Sequence, residues 1–250
     1  MLRREVHGDV EVLWLEHGKA NAMDLEFCTA LGSTLRAIRA DGPAALVLAA
    51  RGSIYSAGVD LPRVVEGGPD YVARFLPALS DAILELFTLP LPTVAAVNGH
   101  AIAGGCLLAI GCDHVVAATG NGRIGVPELL VGVPFPAVGI EILRQRAGDA
   151  VTRSLVLSGR TESLADARAL GLVDELGPAE SLLTTALAAA RRLAAVPSAT
   201  YALTKRQLAA PALERLARDA ARDDAEVREI WRRPEVQDSL RTFAQRTLRK

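Results

Sequence analysis

The sequence predicts an α/β protein that alternates buried strands with helices and then ends in a wholly helical last third. Three observations carry this. Four short apolar runs, Val10–Leu15, Ala44–Ala50, Thr93–Val97 and His114–Ala118, have strand length, and most are bounded by Gly, Asn or Pro. Helical patterns separate them, which is the signature of strands covered by crossover helices. After about Ala137 the strand signal fades.

Taken in order, Val10–Leu15 is the first strand, and Leu25–Ile38 follows as a helix. Ala44–Ala50 is the second strand. Tyr71–Phe87 is a helix with Leu76, Leu79, Ile83 and Leu86 on one face, bracketed by Pro69 and Pro90. Thr93–Val97 and His114–Ala118 complete the strands. Residues 137–147, 149–158, 163–170, 179–195, 198–209 and 212–232 all read as helix, punctuated by Pro178, Pro197, Pro211 and Pro234. No internal repeat or low-complexity linker interrupts the chain.

Composition narrows the function. At 250 residues, half of them apolar, the chain is long enough for a sizeable core. A formal charge of −1 supplies no global field for nucleic acid or an anionic membrane, although local Lys and Arg can hold an anionic ligand. Cys28, Cys106 and Cys112 are odd in number and lack framework or metal spacing. They read as small buried apolar residues in a reducing compartment. Met1–Val12 has no apolar signal-peptide region. Leu86–Cys112 contains no Asp, Glu, Lys or Arg, but Pro90, Pro92, Asn98, Gly99, Gly104 and Gly105 interrupt it as a membrane span would not tolerate. The expectation is a cytoplasmic protein.

Several motifs fail on their mechanics. Gly120-Asn121-Gly122-Arg123-Ile124-Gly125 matches the dinucleotide pattern GxGxxG, but Pro127, Pro134 and Pro136 forbid the helix that must follow. Asn121-Gly122 suits a tight hairpin turn instead. Ile54-Tyr55-Ser56-Ala57-Gly58 misses the nucleophile elbow at its first glycine, and no acid-then-histidine order follows. No metal pattern is present. Two other segments lead from strand through small residues towards helix: Tyr55-Ser56-Ala57-Gly58-Val59-Asp60-Leu61 and Asn98-Gly99-His100-Ala101-Ile102-Ala103-Gly104-Gly105-Cys106. Such turns expose backbone N–H groups that the helix does not satisfy, and two brought together make an oxyanion hole. Either turn alone reads equally well as plain punctuation.

At these residues the sequence resembles the crotonase superfamily, the enoyl-CoA hydratase/isomerase family. Five segments carry the resemblance, in family order and over nearly the whole chain. They are Lys19-Ala20-Asn21-Ala22; Ser56 to Leu61; Asn98-Gly99-His100-Ala101 with Gly104-Gly105; Ile124-Gly125-Val126-Pro127-Glu128; and Leu157-Ser158-Gly159-Arg160 with Ala169 to Asp174. The resemblance implies a crotonase-like (ClpP/crotonase) spiral of ββα turns over residues 1–190. It further implies a helical oligomerisation region over residues 191–250, building a homotrimer or dimer of trimers. It implies an acyl-CoA substrate, with coenzyme A part of that substrate and no separate cofactor or metal. The oxyanion donors are then the backbone N–H groups of Val59 and Gly104. Gly58, Asp60 and Gly105 belong to the two CoA-binding loops, Ala57 and Leu61 border the adenine end, and Lys19, beside Ala20, is a phosphate contact.

The resemblance also implies a role for Glu128, a catalytic glutamate set among Val126, Pro127, Leu129, Leu130 and Val131. An apolar setting raises a carboxyl pKa and suits it to proton transfer near neutrality. The family's hydratases use two glutamates, and the second would fall at Leu107. Ala103 replaces the first glycine of the family's triple run, and Val59 is bulkier than usual there. One carboxylate with an oxyanion hole suffices for a double-bond shift, so the expected activity is 3,2-enoyl-CoA isomerase. The alternatives are an enoyl-CoA hydratase of fatty-acid β-oxidation or related acyl-CoA degradation, with Glu66 in a Val64–Gly68 loop as second acid, and a catalytically decayed acyl-CoA-binding protein.

Overall fold

The computed structural model describes residues 1–248, with side chains through residue 246; the last two residues of the 191–250 segment lie outside it. Strand β1 (Leu2–His7) runs antiparallel to β2 (Val10–Leu15), all six of whose residues are buried. Helix α1 (Leu25–Asp41) begins at Asp24, whose side chain accepts the Phe27 N–H at 2.7 Å and so satisfies one open donor of the first turn. Its buried residues Phe27, Leu31, Leu35 and Ile38 recur every three or four positions and face the core.

The chain then makes three turns of one kind. The first is β3 (Ala45–Ala50), β4 (Ile54–Ser56) and α2 (Leu61–Phe87). The second is β5 (Thr93–Val97), β6 (His100–Ile102) and α3 (Gly104–Ile110). The third is β7 (His114–Ala118), β8 (Arg123–Gly125), the short α4 (Glu128–Val131) and α5 (Ala137–Ser158). After them come β9 (Thr161–Ser163), α6 (Leu164–Ala169), β10 (Glu175–Gly177), α7 (Leu182–Ala194), α8 (Ser198–Arg232) and α9 (Pro234–Leu248). The first strand of each turn joins a six-stranded sheet, β1-β2-β3-β5-β7-β10, and the second joins a four-stranded sheet, β4-β6-β8-β9. Pairing is parallel from β2 to β10 in the larger sheet and from β4 to β8 in the smaller. This is the expected spiral of ββα turns.

Helix α7 covers one face of the larger sheet, packing Leu182, Ala186, Leu187 and Ala190 onto Val12, Val47, Val94 and Val116. The other face shares one core with α1, α2, α3 and α5. Helices α8 and α9 insert Ala209, Trp231 and Leu240 into that same core, so packing is continuous across residue 190.

Several details differ from the sequence reading. Helix α2 starts at Leu61, so residues 64–67 are helical rather than loop; it breaks at Gly68 (φ 61°) and resumes at Pro69. Helix α8 runs through Pro211 because Ala209 and Ala212 on either side are buried. Pro234 opens α9, where its missing N–H has no intrahelical acceptor to lose. Residues 120–122 form no hairpin: β7 and β8 lie in different sheets, and the positive φ falls on Gly120 (144°), not on Asn121 or Gly122. The three cysteines are buried and free. No described helix is long and apolar enough to cross a membrane.

Candidate active site

Strand β4 pairs with β6, so the turn after Ser56 and the turn after Ile102 lie side by side. Gly58 (φ +82°) lets them touch: a methyl group built there would stand 2.6 Å from the Ile102 carbonyl oxygen and 3.3 Å from the Gly104 nitrogen. Ser56 Oγ donates to Asn21 O (2.8 Å) and accepts from Gly58 N–H (3.2 Å). Asn21, buried at φ 47°, accepts the His17 N–H through Oδ1 (2.8 Å) and donates from Nδ2 to Ile54 O (3.1 Å). Ala57 N–H donates to Ala20 O at 2.9 Å. The segment carrying Lys19 and Ala20 is therefore tied to the first turn.

Gly104 is the first residue of α3, so its N–H has no intrahelical acceptor. Val59 pairs with Met23 in an isolated parallel bridge, which leaves its own N–H and carbonyl turned to the other side. Both residues line one cavity of about 320 Å³. Ala57, Leu61, Leu107 and Glu128 line it too. Among the described lining residues Glu128 is the only carboxylate, and His100 is the one other ionisable group.

Glu128 opens α4 behind Pro127. The residue is partly accessible as a whole, but its Oε2 is enclosed and has no hydrogen-bond partner. Burial without a compensating cation pushes its pKa up to about 8, opposed only by its own backbone N–H. Asp113 accepts from Thr93 and from Lys205 Nζ (2.8 Å), a structural tie away from the cavity. Glu66 is 76 % exposed beside Arg63 and does not line the cavity.

The other predicted residues divide. Asp60 caps α2, accepting the Arg63 N–H at 3.0 Å, and does not line the cavity. Gly58 and Gly105 hold the turns together; a methyl on Gly105 would stand 2.7 Å from Ser56 Cβ. Lys19 is exposed in the turn before Asn21. Among the lining residues to which sequence reasoning gave no site role are His100, Trp231 and Phe243. His100 alone carried a local signal, since it alternates with Ile102 along β6 and therefore shares its face. Trp231, whose Nε1 donates to Pro134 O at 3.0 Å, and Phe243 arrive from the C-terminal helices, more than a hundred residues later.

Ala103 has φ 53° and ψ −124°, the conformation that glycine favours as the first central residue of a type II′ turn. Ala103→Gly removes that strain, on the order of 1–3 kcal/mol, against a smaller gain in unfolded-chain freedom. Thermal denaturation is expected to show a midpoint about 2–4 °C higher. A lower midpoint would mean that the Ala103 methyl contributes more by packing than its backbone loses.

Fold and site together define an α/β spiral protein in which two strand-to-helix turns and one largely enclosed carboxylate line a single cavity. A sequence model of the enoyl-CoA hydratase/isomerase family matches residues 6–249, and the chain belongs to that family. It is 36% identical over 244 residues to a putative enoyl-CoA hydratase of Thermus thermophilus, covering 94% of each chain. It is 28% identical over 241 residues to human mitochondrial enoyl-CoA delta isomerase 1, covering 95% of this chain and 80% of that one. The crystal structure of human mitochondrial delta3-delta2-enoyl-CoA isomerase superposes with a TM-score of 0.94 at 27% identity, covering 99% of this chain and 98% of that one.

Proposed function

We propose that this protein is a 3,2-enoyl-CoA isomerase that uses Glu128 as its single acid–base group. The observation that carries the reading is the cavity's lining: Glu128 is the one carboxylate among its described residues, and Leu107, the position to which the family resemblance assigns the hydratases' second glutamate, lines it as well. The apolar wall and the enclosed Oε2 suit a proton shuttle that excludes water. In this reading the thioester carbonyl accepts from the Val59 and Gly104 N–H groups. Glu128 takes the C2 proton of a 3-enoyl-CoA as the electron pair delocalises onto the thioester oxygen. The dienolate then takes the same proton back at C4, leaving the double bond between C2 and C3. A pKa near 8 matches the base to this exchange around neutrality. Coenzyme A enters as the carrier part of the substrate, with Lys19 at its phosphates and Ala57 and Leu61 along its path. The assembly is a homotrimer or dimer of trimers.

The test is product identity. Incubation with 3-hexenoyl-CoA is expected to give conjugated 2-hexenoyl-CoA without change of mass, and 2-hexenoyl-CoA is expected to gain little water. Rapid hydration of the 2-enoyl substrate would replace this reading with a hydratase whose second acid lies outside the described lining.

A further inference from the structure

We infer that Met23 is the positioning residue that sets the spacing of the two oxyanion donors; the inference rests on the isomerase reading above. Met23 is fully buried and does not line the cavity, so it touches no reacting atom. Its backbone directs the first donor. Met23 N–H donates to Gly58 O at 2.7 Å, and Met23 O accepts from Asp60 N–H at 3.0 Å. These two bonds bracket Val59, so the Val59 N–H is aimed away from Met23, and Val59 lines the cavity on that side.

The Met23 side chain locates the second donor. A methyl group built on Gly104 would stand 2.8 Å from Met23 Sδ and 3.8 Å from its Cε, so the thioether lies against the Gly104 Cα. One residue thus fixes the direction of one N–H through its main chain and the place of the other through its side chain. Met23 is itself held from both ends. Asn21 is knotted to His17 and Ile54 two residues before it, and Asp24 caps α1 directly after it. The flexible, unbranched thioether reaches Gly104 where a shorter side chain would leave a gap.

A displaced donor weakens its bond to the thioester oxygen, slightly in the bound substrate and most as negative charge develops there, so the inference separates from a loss of stability. Met23→Ala is expected to lower kcat for 3-hexenoyl-CoA by about 10–100-fold with KM within about two-fold. Met23→Leu, which keeps most of the volume, is expected to recover activity to within about three-fold of wild type. Met23→Val keeps an extended-chain former at the bridge while removing Sδ, and serves if the alanine variant does not fold. The direct readout is the carbonyl stretch of 2-hexenoyl-CoA labelled with carbon-13 at C1, measured by infrared difference spectroscopy at saturation. The wild-type protein is expected to lower that frequency on binding, and Met23→Ala or Met23→Val to lose most of the lowering while Met23→Leu retains it. A folded Met23→Ala or Met23→Val with the wild-type carbonyl shift and kcat within two-fold would overturn the inference. If the wild-type protein itself turned over 3-hexenoyl-CoA with no lowering of the stretch, the assignment of Val59 and Gly104 as donors would fall first, and this inference with it.

Discussion

Glu128→Gln is expected to lower kcat/KM for a 3-enoyl-CoA by about 10²–10⁴-fold, the usual worth of a positioned general base. Glutamine keeps the shape and loses the proton acceptor, and no other carboxylate among the described residues lines the cavity to replace it. In the wild-type protein the base must be ionised, so kcat/KM is expected to rise with pH and level off above about 8. The same variant reports on stability. The Glu128 carboxyl ionises near 4.5 when unperturbed and near 8 in the fold. Below both values the neutral carboxyl costs the fold nothing by ionisation. Between them the unfolded chain has released a proton that the folded chain retains, so wild-type stability falls as pH rises and levels off past about 8. Glutamine has no such dependence. The gain of Glu128→Gln over wild type is therefore expected to grow from pH 5 to pH 8, reaching at most about 3 kcal/mol at pH 7. Denaturant titrations at several pH values check this. A constant difference would mean that Glu128 ionises in the fold as it does in water.

Gly58→Ala is expected to be nearly as damaging by a different route. A β-carbon there would stand 2.6 Å from Ile102 O and 2.7 Å from Ala103 Cβ, so the two turns must move apart. The φ of +82° adds backbone strain of on the order of 1–3 kcal/mol. Displacement of one donor by about 1 Å is enough to lower kcat some 10²-fold. Gly42→Ala separates the two effects, because Gly42 also has positive φ (65°) but nothing within 4 Å of its would-be β-carbon. It is expected to lower the melting temperature and leave kcat unchanged. Wild-type kcat in Gly58→Ala would show that the turns do not need this contact.

The legible and illegible parts of the molecule divide by range. The strands β2, β3, β5 and β7 were readable because each is five or six residues of nearly continuous apolar character, buried on both faces. Strands β4, β6, β8 and β9 have three residues each, too few to show any period, and their pairing comes from the spiral. The same limit explains Asn121-Gly122, whose turn-forming chemistry is real but whose flanking strands belong to different sheets. One proline misleads in a similar way: Pro211 sits inside α8, where burial of Ala209 and Ala212 outweighs one missing hydrogen bond, whereas Pro234 does separate α8 from α9.

By itself the sequence determined which residue types the candidate site has available. It held a carboxylate, Glu128, in an apolar stretch and two glycine-bearing turns after strands, and the family resemblance pointed to Leu107 as the position where a hydratase would carry its second acid. Those are local properties, carried by neighbours along the chain. The tertiary structure decided that Gly58 and Gly104, 46 residues apart, come into contact, that Glu128 Oε2 is left enclosed without a partner, and that Trp231 and Phe243 close the cavity. It also decided that Met23 bonds through its backbone to Gly58 and Asp60 and lays its thioether against Gly104. Donor spacing and desolvation depend on which distant segments the core draws together, and hydrophobic burial, being non-directional, leaves no local mark of those partners.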